Sequence, residues 1–273
     1  MGPFSTWEPR MLAIQGGKFT VPVYDLVPEK LLSPIPIAIC PGWVEVPASW
    51  EHHIRLLVES GNRVIIYDAP HGLPLPIPAD AQGARIELEK MATLIAVLNA
   101  LFIRRADLIC RSEGAIWAVL AAKHHSSNVR NLILENPAGL LRRNWPLPFI
   151  VRWLRDFKQT VTREVDKTPP FAPVPAWSVW ARSWKDTARE IWALMFANSL
   201  PALTEVRATG HGVAIVTTEF DLLFPCEKIR ENVKGLIDWH CVLRGGHTSF
   251  FCRPEDFVGA LVEARNFLER KYR

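Results

Sequence analysis

Short runs of β-branched and apolar residues alternate with longer stretches of helical spacing, and this alternation constrains the fold more than any other feature. Strands are predicted at "FTVPVYDLV" (19–27), "IPIAIC" (35–40), "NRVIIYDAP" (62–70), "ADLIC" (106–110), "VRNLILENPAG" (129–139), "GVAIVTT" (212–218) and "DWHCVLRGG" (238–246). Helices are predicted over 49–61, 84–102, 114–125 and 253–273, the last with basic residues in its final turns, where they suit the helix dipole. Strands separated by helices imply βαβ units, hence an α/β fold of three layers: a mostly parallel sheet with helices on both faces. In such a sheet the carboxyl ends of the strands are where chemistry is expected.

The alternation breaks between residues 140 and 205. No strand pattern occurs there, and the stretch holds Trp145, Trp153, Trp177, Trp180, Trp184 and Trp192 together with the proline-rich "KTPPFAPVPAW" (167–177). It carries ten Lys and Arg against six Asp and Glu. The expected organisation is a core domain from 1–139 and 206–273 with a helical cap inserted at 140–205.

Hydrophobic residues make up 49% of the chain and charged residues 22%, ordinary for a soluble globular domain. A net charge of +4 without a dense basic stripe argues against nucleic acid as a partner. No apolar run is long enough to span a membrane, and the first thirty residues show no targeting pattern. The basic, tryptophan-rich cap leaves weak contact with a membrane surface open. Five scattered cysteines, without paired or metal-ligand spacing, suggest reduced thiols and a cytoplasmic location. The histidines show no chelating pattern, so no metal and no cofactor is expected.

One junction stands out. In "LICRSEGAIWA" (108–118) an apolar strand gives way to a helix, with Ser112 between Arg111 and Glu113 and Gly114 two residues on. A serine at a tight strand-to-helix turn is pushed outward, beside backbone N–H groups that favour negative charge. Such a serine becomes a nucleophile when a base takes its proton; the plainer reading is a helix cap. Arg111 and Glu113 are expected chiefly to pack at the helix entrance, with hydrogen bonds from Arg111 to nearby loops as the alternative.

"CRSEGA" resembles the nucleophile elbow of the α/β-hydrolase fold, usually Gly-x-Ser-x-Gly, with Cys110 in place of the first glycine. Two further stretches, in the family's order, are similar to its other triad loops: "EFDLLFP" (219–225) and "RGGHTSFFCRPEDF" (244–257). The resemblance implies Ser112 as nucleophile, His247 as general base and Asp221 as the acid that orients it, with Glu219 and Glu135 as alternative acids. "CPGWVEV" (40–46) resembles the family's oxyanion turn, which implies that the backbone N–H groups of Trp43 and Glu113 receive the oxyanion. "DAPHG" (68–72) is similar to a loop beside the site but one residue shorter. Candidate pocket residues are His71, Trp145, Trp177 and Trp180. Cys40 and Cys110 end strands that the family places side by side, which implies packing thiols beneath the site.

The implied activity is hydrolysis of a small-molecule carboxylic ester through an acyl-enzyme, with an apolar acyl group under the cap. Carbon–carbon bond hydrolase, thioesterase and iminopeptidase chemistry are alternatives on the same fold. A non-catalytic receptor or binding scaffold is the alternative of a different class.

Overall fold

A computed structural model of the chain describes residues 7–141, 146–167, 179 and 182–272. The strands are β1 (Arg10–Ile14), β2 (Phe19–Leu26), β3 (Ile37–Cys40), β4 (Val64–Tyr67), β5 (Ala106–Arg111), β6 (Val129–Glu135), β7 (Gly212–Thr218) and β8 (Trp239–Leu243). They form one sheet in the order β1-β2-β4-β3-β5-β6-β7-β8. β2 runs antiparallel to β1 and β4, and from β4 to β8 every pairing is parallel. The helices are α1 (Glu51–Glu59), α2 (Arg85–Ala100), α3 (Gly114–His124), α4 (Pro146–Val161), α5 (Trp184–Phe196), α6 (Leu200–Ala208), α7 (Cys226–Asn232), α8 (Ser249–Cys252) and α9 (Pro254–Lys271).

Central strands covered on both faces need mainly apolar side chains, and the charged residues of β5 and β6, Asp107, Arg111, Arg130 and Glu135, sit near the strand ends in ion pairs. In β5, Leu108 and Cys110 join the core beneath α2 and α3, whereas Ile109 joins the core beneath α1 and α9. Ala38 and Cys40 of β3 and Leu132 and Leu134 of β6 face the first side, and Ile39 and Ile133 the second. Each fully buried Leu or Ile contributes on the order of 1.5–3 kcal/mol. The sheet's stability is therefore concentrated in the strands whose ends carry the loops of interest.

Every predicted strand is present, and the structure adds β1, which lacks a clean alternation and is paired through the Gln15–Gly17 turn. α4 and α5 lie in the segment between β6 and β7. The expected boundary at residue 205 falls inside α6, whose Leu203 and Val206 are buried in the core with α3. Because β3, β5, β7 and β8 are parallel, the loops that follow them emerge at one edge of the sheet.

Candidate active site

The turn after β5 is sharp. Ser112 has φ 49°, a left-handed conformation costly for a residue with a Cβ. It is fixed by three backbone bonds: Ser112 N–H to the Glu135 carbonyl (2.9 Å), and the Ser112 carbonyl to the amides of Ala115 (3.1 Å) and Ala138 (3.0 Å). A Cβ at Gly114 would stand 2.0 Å from the Cys40 carbonyl oxygen, so α3 approaches β3 only because position 114 is glycine. Cys110 is fully buried and in register with Cys40, and burial and Cys110 together raise the Cys40 thiol well above its usual range. The two thiols pack side by side under the turn, as the family's sheet order implied.

Asp221 and His247 meet at the same edge. Asp221 Oδ1 accepts the Leu223 and Phe224 amides at 2.8 Å each, which leaves Oδ2 aimed at His247 Nδ1, also 2.8 Å away. Burial pushes the His247 pKa down, but the charge and hydrogen bond of Asp221 outweigh it and hold the value above that of ordinary histidine. Of the alternative acids, Glu219 is exposed and Glu135 lies against Arg111. Ser112 Oγ makes no hydrogen bond to any described residue, His247 included.

The loop after β3 abuts the serine: a Cβ on Gly42 would lie 3.2 Å from Ser112 Cβ. Glu45 N–H donates to the Gly42 carbonyl (3.1 Å), and Val44 sits at φ 55°, an outlier for a β-branched residue. Glu45 Oε2 holds the turn from within, accepting Gly42 N–H at 2.8 Å and Trp50 Nε1 at 2.9 Å. No acceptor among the described residues takes the amides of Trp43 or Glu113.

Arg111 corrects the expectation of simple packing; the loop-bonding alternative is what the structure shows. Its guanidinium is buried and ion-paired with Glu45, donates to the His247 carbonyl at 2.6 Å, and lies 3.2 Å from Glu135 without hydrogen-bond alignment. It also stacks 5.0 Å over the Phe250 ring and 4.5 Å over Phe251. Burial pushes the Glu135 carboxyl up to about 8 despite the facing Arg111. One side chain thus ties the loop beside the serine to the loop that carries the histidine.

A second buried cluster adjoins the serine from the other side. Lys90 Nζ of α2 contacts Glu113 (2.8 Å) and Glu190 of α5 (2.7 Å), and Glu190 also accepts from His71 Nδ1 at 3.1 Å. Burial would lower the Lys90 pKa, but Glu113 and Glu190 raise it, so Lys90 stays charged. Glu87 completes the group, with burial and the charge of Glu113 raising its pKa. His71 therefore binds the α5 acid. Trp145, Trp177 and Trp180, the other pocket candidates, lie outside the described residues.

Asp156 of α4 adds a third carboxyl near the histidine. It is buried, which raises its pKa to about 6, and it stands within electrostatic reach of His247, Asp221 and Arg111. Nothing in the linear pattern marks Asp156, Glu45, Lys90 or Glu190, whose partners are distant in the chain.

No protein-family model and no characterised protein matches the sequence. Solved structures do match in three dimensions. The meta-cleavage product hydrolase of Pseudomonas fluorescens IP01 superposes with a TM-score of 0.65 at 17% identity, covering 95% of this chain and 98% of that one. A carboxylesterase structure from the thaumarchaeon Nitrososphaera gargenis gives 0.65 at 17%, covering 96% and 100%. The enol-lactonase of Burkholderia xenovorans LB400 gives 0.66 at 16%, covering 94% and 100%. These likenesses establish the α/β-hydrolase fold.

Proposed function

We propose that this α/β-hydrolase-fold chain is a serine hydrolase that cleaves a carboxylic ester. The observation that carries the reading is the buried Asp221–His247 pair, at 2.8 Å, on the same sheet edge as a serine held at φ 49°. Ser112 attacks the ester carbonyl while His247 Nε2 takes its proton. Asp221 holds the Nδ1–H tautomer and stabilises the imidazolium. The amides of Trp43 and Glu113 receive the oxyanion, in a loop already braced by Glu45. The alcohol leaves with the proton from His247, and water repeats the sequence to release the acid.

The helical segment 140–205 is proposed as the cap over this site, and His71 as a residue that binds cap to core. The test is labelling by a fluorophosphonate probe together with turnover of p-nitrophenyl esters of increasing acyl length. Wild type should label at Ser112 and turn over, and Ser112→Ala should do neither. Equal rates in the two would end the reading, and preferred turnover of thioesters, amides or substrates cleaved at a carbon–carbon bond would reassign the bond cleaved.

A further inference from the structure

Helix α4 is amphipathic in the reverse sense to a packed surface helix. Its polar side faces the protein: Asp156 is buried, Gln159 Nε2 donates to the Phe220 carbonyl (3.4 Å), and Thr160 Oγ1 bonds Thr248 Oγ1 (3.0 Å) beside His247. Phe149 is buried against Phe224, but the helix's other large apolar residues face outward at helical spacing. Leu147, Ile150, Val151, Leu154, Phe157 and Val161 form one continuous stripe, with Leu147 72% exposed, Leu154 53% and Phe157 59%. Trp153, also exposed, borders it.

The charges sort in the same way. Arg155 and Lys158 on the helix, and Arg163 and Lys167 just beyond it, are exposed. The acids of the segment are turned away or engaged: Asp156 and Glu190 are buried, Asp166 pairs with Arg253, Asp186 with Arg189 and Glu205 with Lys123, which leaves Glu164 exposed past the helix end. An apolar stripe set in a field of cations fits a surface that is apolar beneath and negative on top. A second copy of this chain fits less well, because a two-fold pairing would set one basic patch against another.

We propose that the outer face of α4 docks on an anionic phospholipid surface. The stripe enters the acyl boundary while Arg155, Lys158, Arg163 and Lys167 meet the headgroup phosphates. The opposite face of the same helix lies against the His247 loop, so docking brings the candidate active site within about one helix diameter, roughly 10 Å, of the lipid.

Co-sedimentation with phosphatidylcholine vesicles, with and without phosphatidylglycerol, tests this, using full-length protein and Ser112→Ala in parallel. Binding should need phosphatidylglycerol, weaken with salt, and be equal in Ser112→Ala, so that it is read independently of any ester chemistry. Leu154→Glu/Phe157→Glu should reduce the affinity more than about tenfold, and Arg155→Glu/Lys158→Glu about as much, with circular dichroism unchanged. Two results overturn the proposal: no binding to phosphatidylglycerol vesicles at low salt, or undiminished binding by Leu154→Glu/Phe157→Glu. A dimer in sedimentation equilibrium that this variant dissolves, without lipid binding, would assign the stripe to a second copy instead.

Discussion

The guanidinium of Arg111 donates to the main-chain carbonyl of His247 at 2.6 Å, although 136 positions separate the two residues. The same group is paired with Glu45, which fixes the turn beside Ser112. Under the proposed function, residue 111 is thus a positioning residue for both the base and the oxyanion turn, rather than a group that touches a reacting atom.

Arg111→Met leaves Glu45 as a buried, uncompensated charge, a loss of about 3–5 kcal/mol. Urea denaturation should show that loss. Activity on a short ester should fall in kcat more than in KM, because the geometry of base and donors is disturbed and not the acyl pocket. Arg111→Lys should recover little of either, since an ammonium cannot span Glu45 and the His247 carbonyl together. Full kcat in Arg111→Met would refute the positioning role.

Asp221→Asn keeps the acceptor for the Leu223 and Phe224 amides but withdraws the charge from His247 Nδ1. We expect kcat to drop about 10³–10⁴-fold with the fold intact. Burst kinetics with a p-nitrophenyl ester would read it.

The pH profile follows from the raised pKa of His247. A base must be neutral to accept a proton, so kcat/KM should fall as pH drops through a value above that of ordinary histidine, about 6.5. Asp156 is among the charges that raise it. Asp156→Asn should therefore move the acid limb to lower pH, a displacement that a purely structural residue would not cause.

Ser112 and Gly114 respond oppositely to substitution. Ser112→Gly relieves the left-handed backbone and should stabilise the protein by about 1 kcal/mol while abolishing turnover. Gly114→Ala drives a Cβ to within 2.0 Å of the Cys40 carbonyl and should cost more than about 3 kcal/mol. As a control, Gly259→Ala meets nothing within 4 Å in α9 and should gain about 0.5–1 kcal/mol. Thermal melts that place Ser112→Gly below wild type, or Gly114→Ala level with it, would contradict this account of the turn.

Sequence made the scaffold legible because buried parallel strands are mainly apolar, and short runs such as "IPIAIC" and "GVAIVTT", alternating with longer helical patterns, fit that role. The elbow was legible because its backbone demands a small residue at 114. The order of Ser112, Asp221 and His247 was legible through family resemblance, and the structure brings His247 and Asp221 into contact. The ion network was not. Arg111, Glu45 and Glu135 are far apart in the chain, and charges in local periodicity look solvated until folding buries them. Lys90 and Glu87 deceive in the same way: on α2 they resemble a polar face, yet both are buried against Glu113.

The chain Glu113–Lys90–Glu190–His71 has a consequence for how this protein can be altered. Its members come from the turn after Ser112, from α2, from α5 and from the loop after β4. An α5 transplanted from another protein would strand the ammonium and carboxylate beside Ser112 unless it brought an acid to position 190. The buried charges thus solder α5 to the turn after Ser112, so any redesign of one must be matched, charge for charge, in the other.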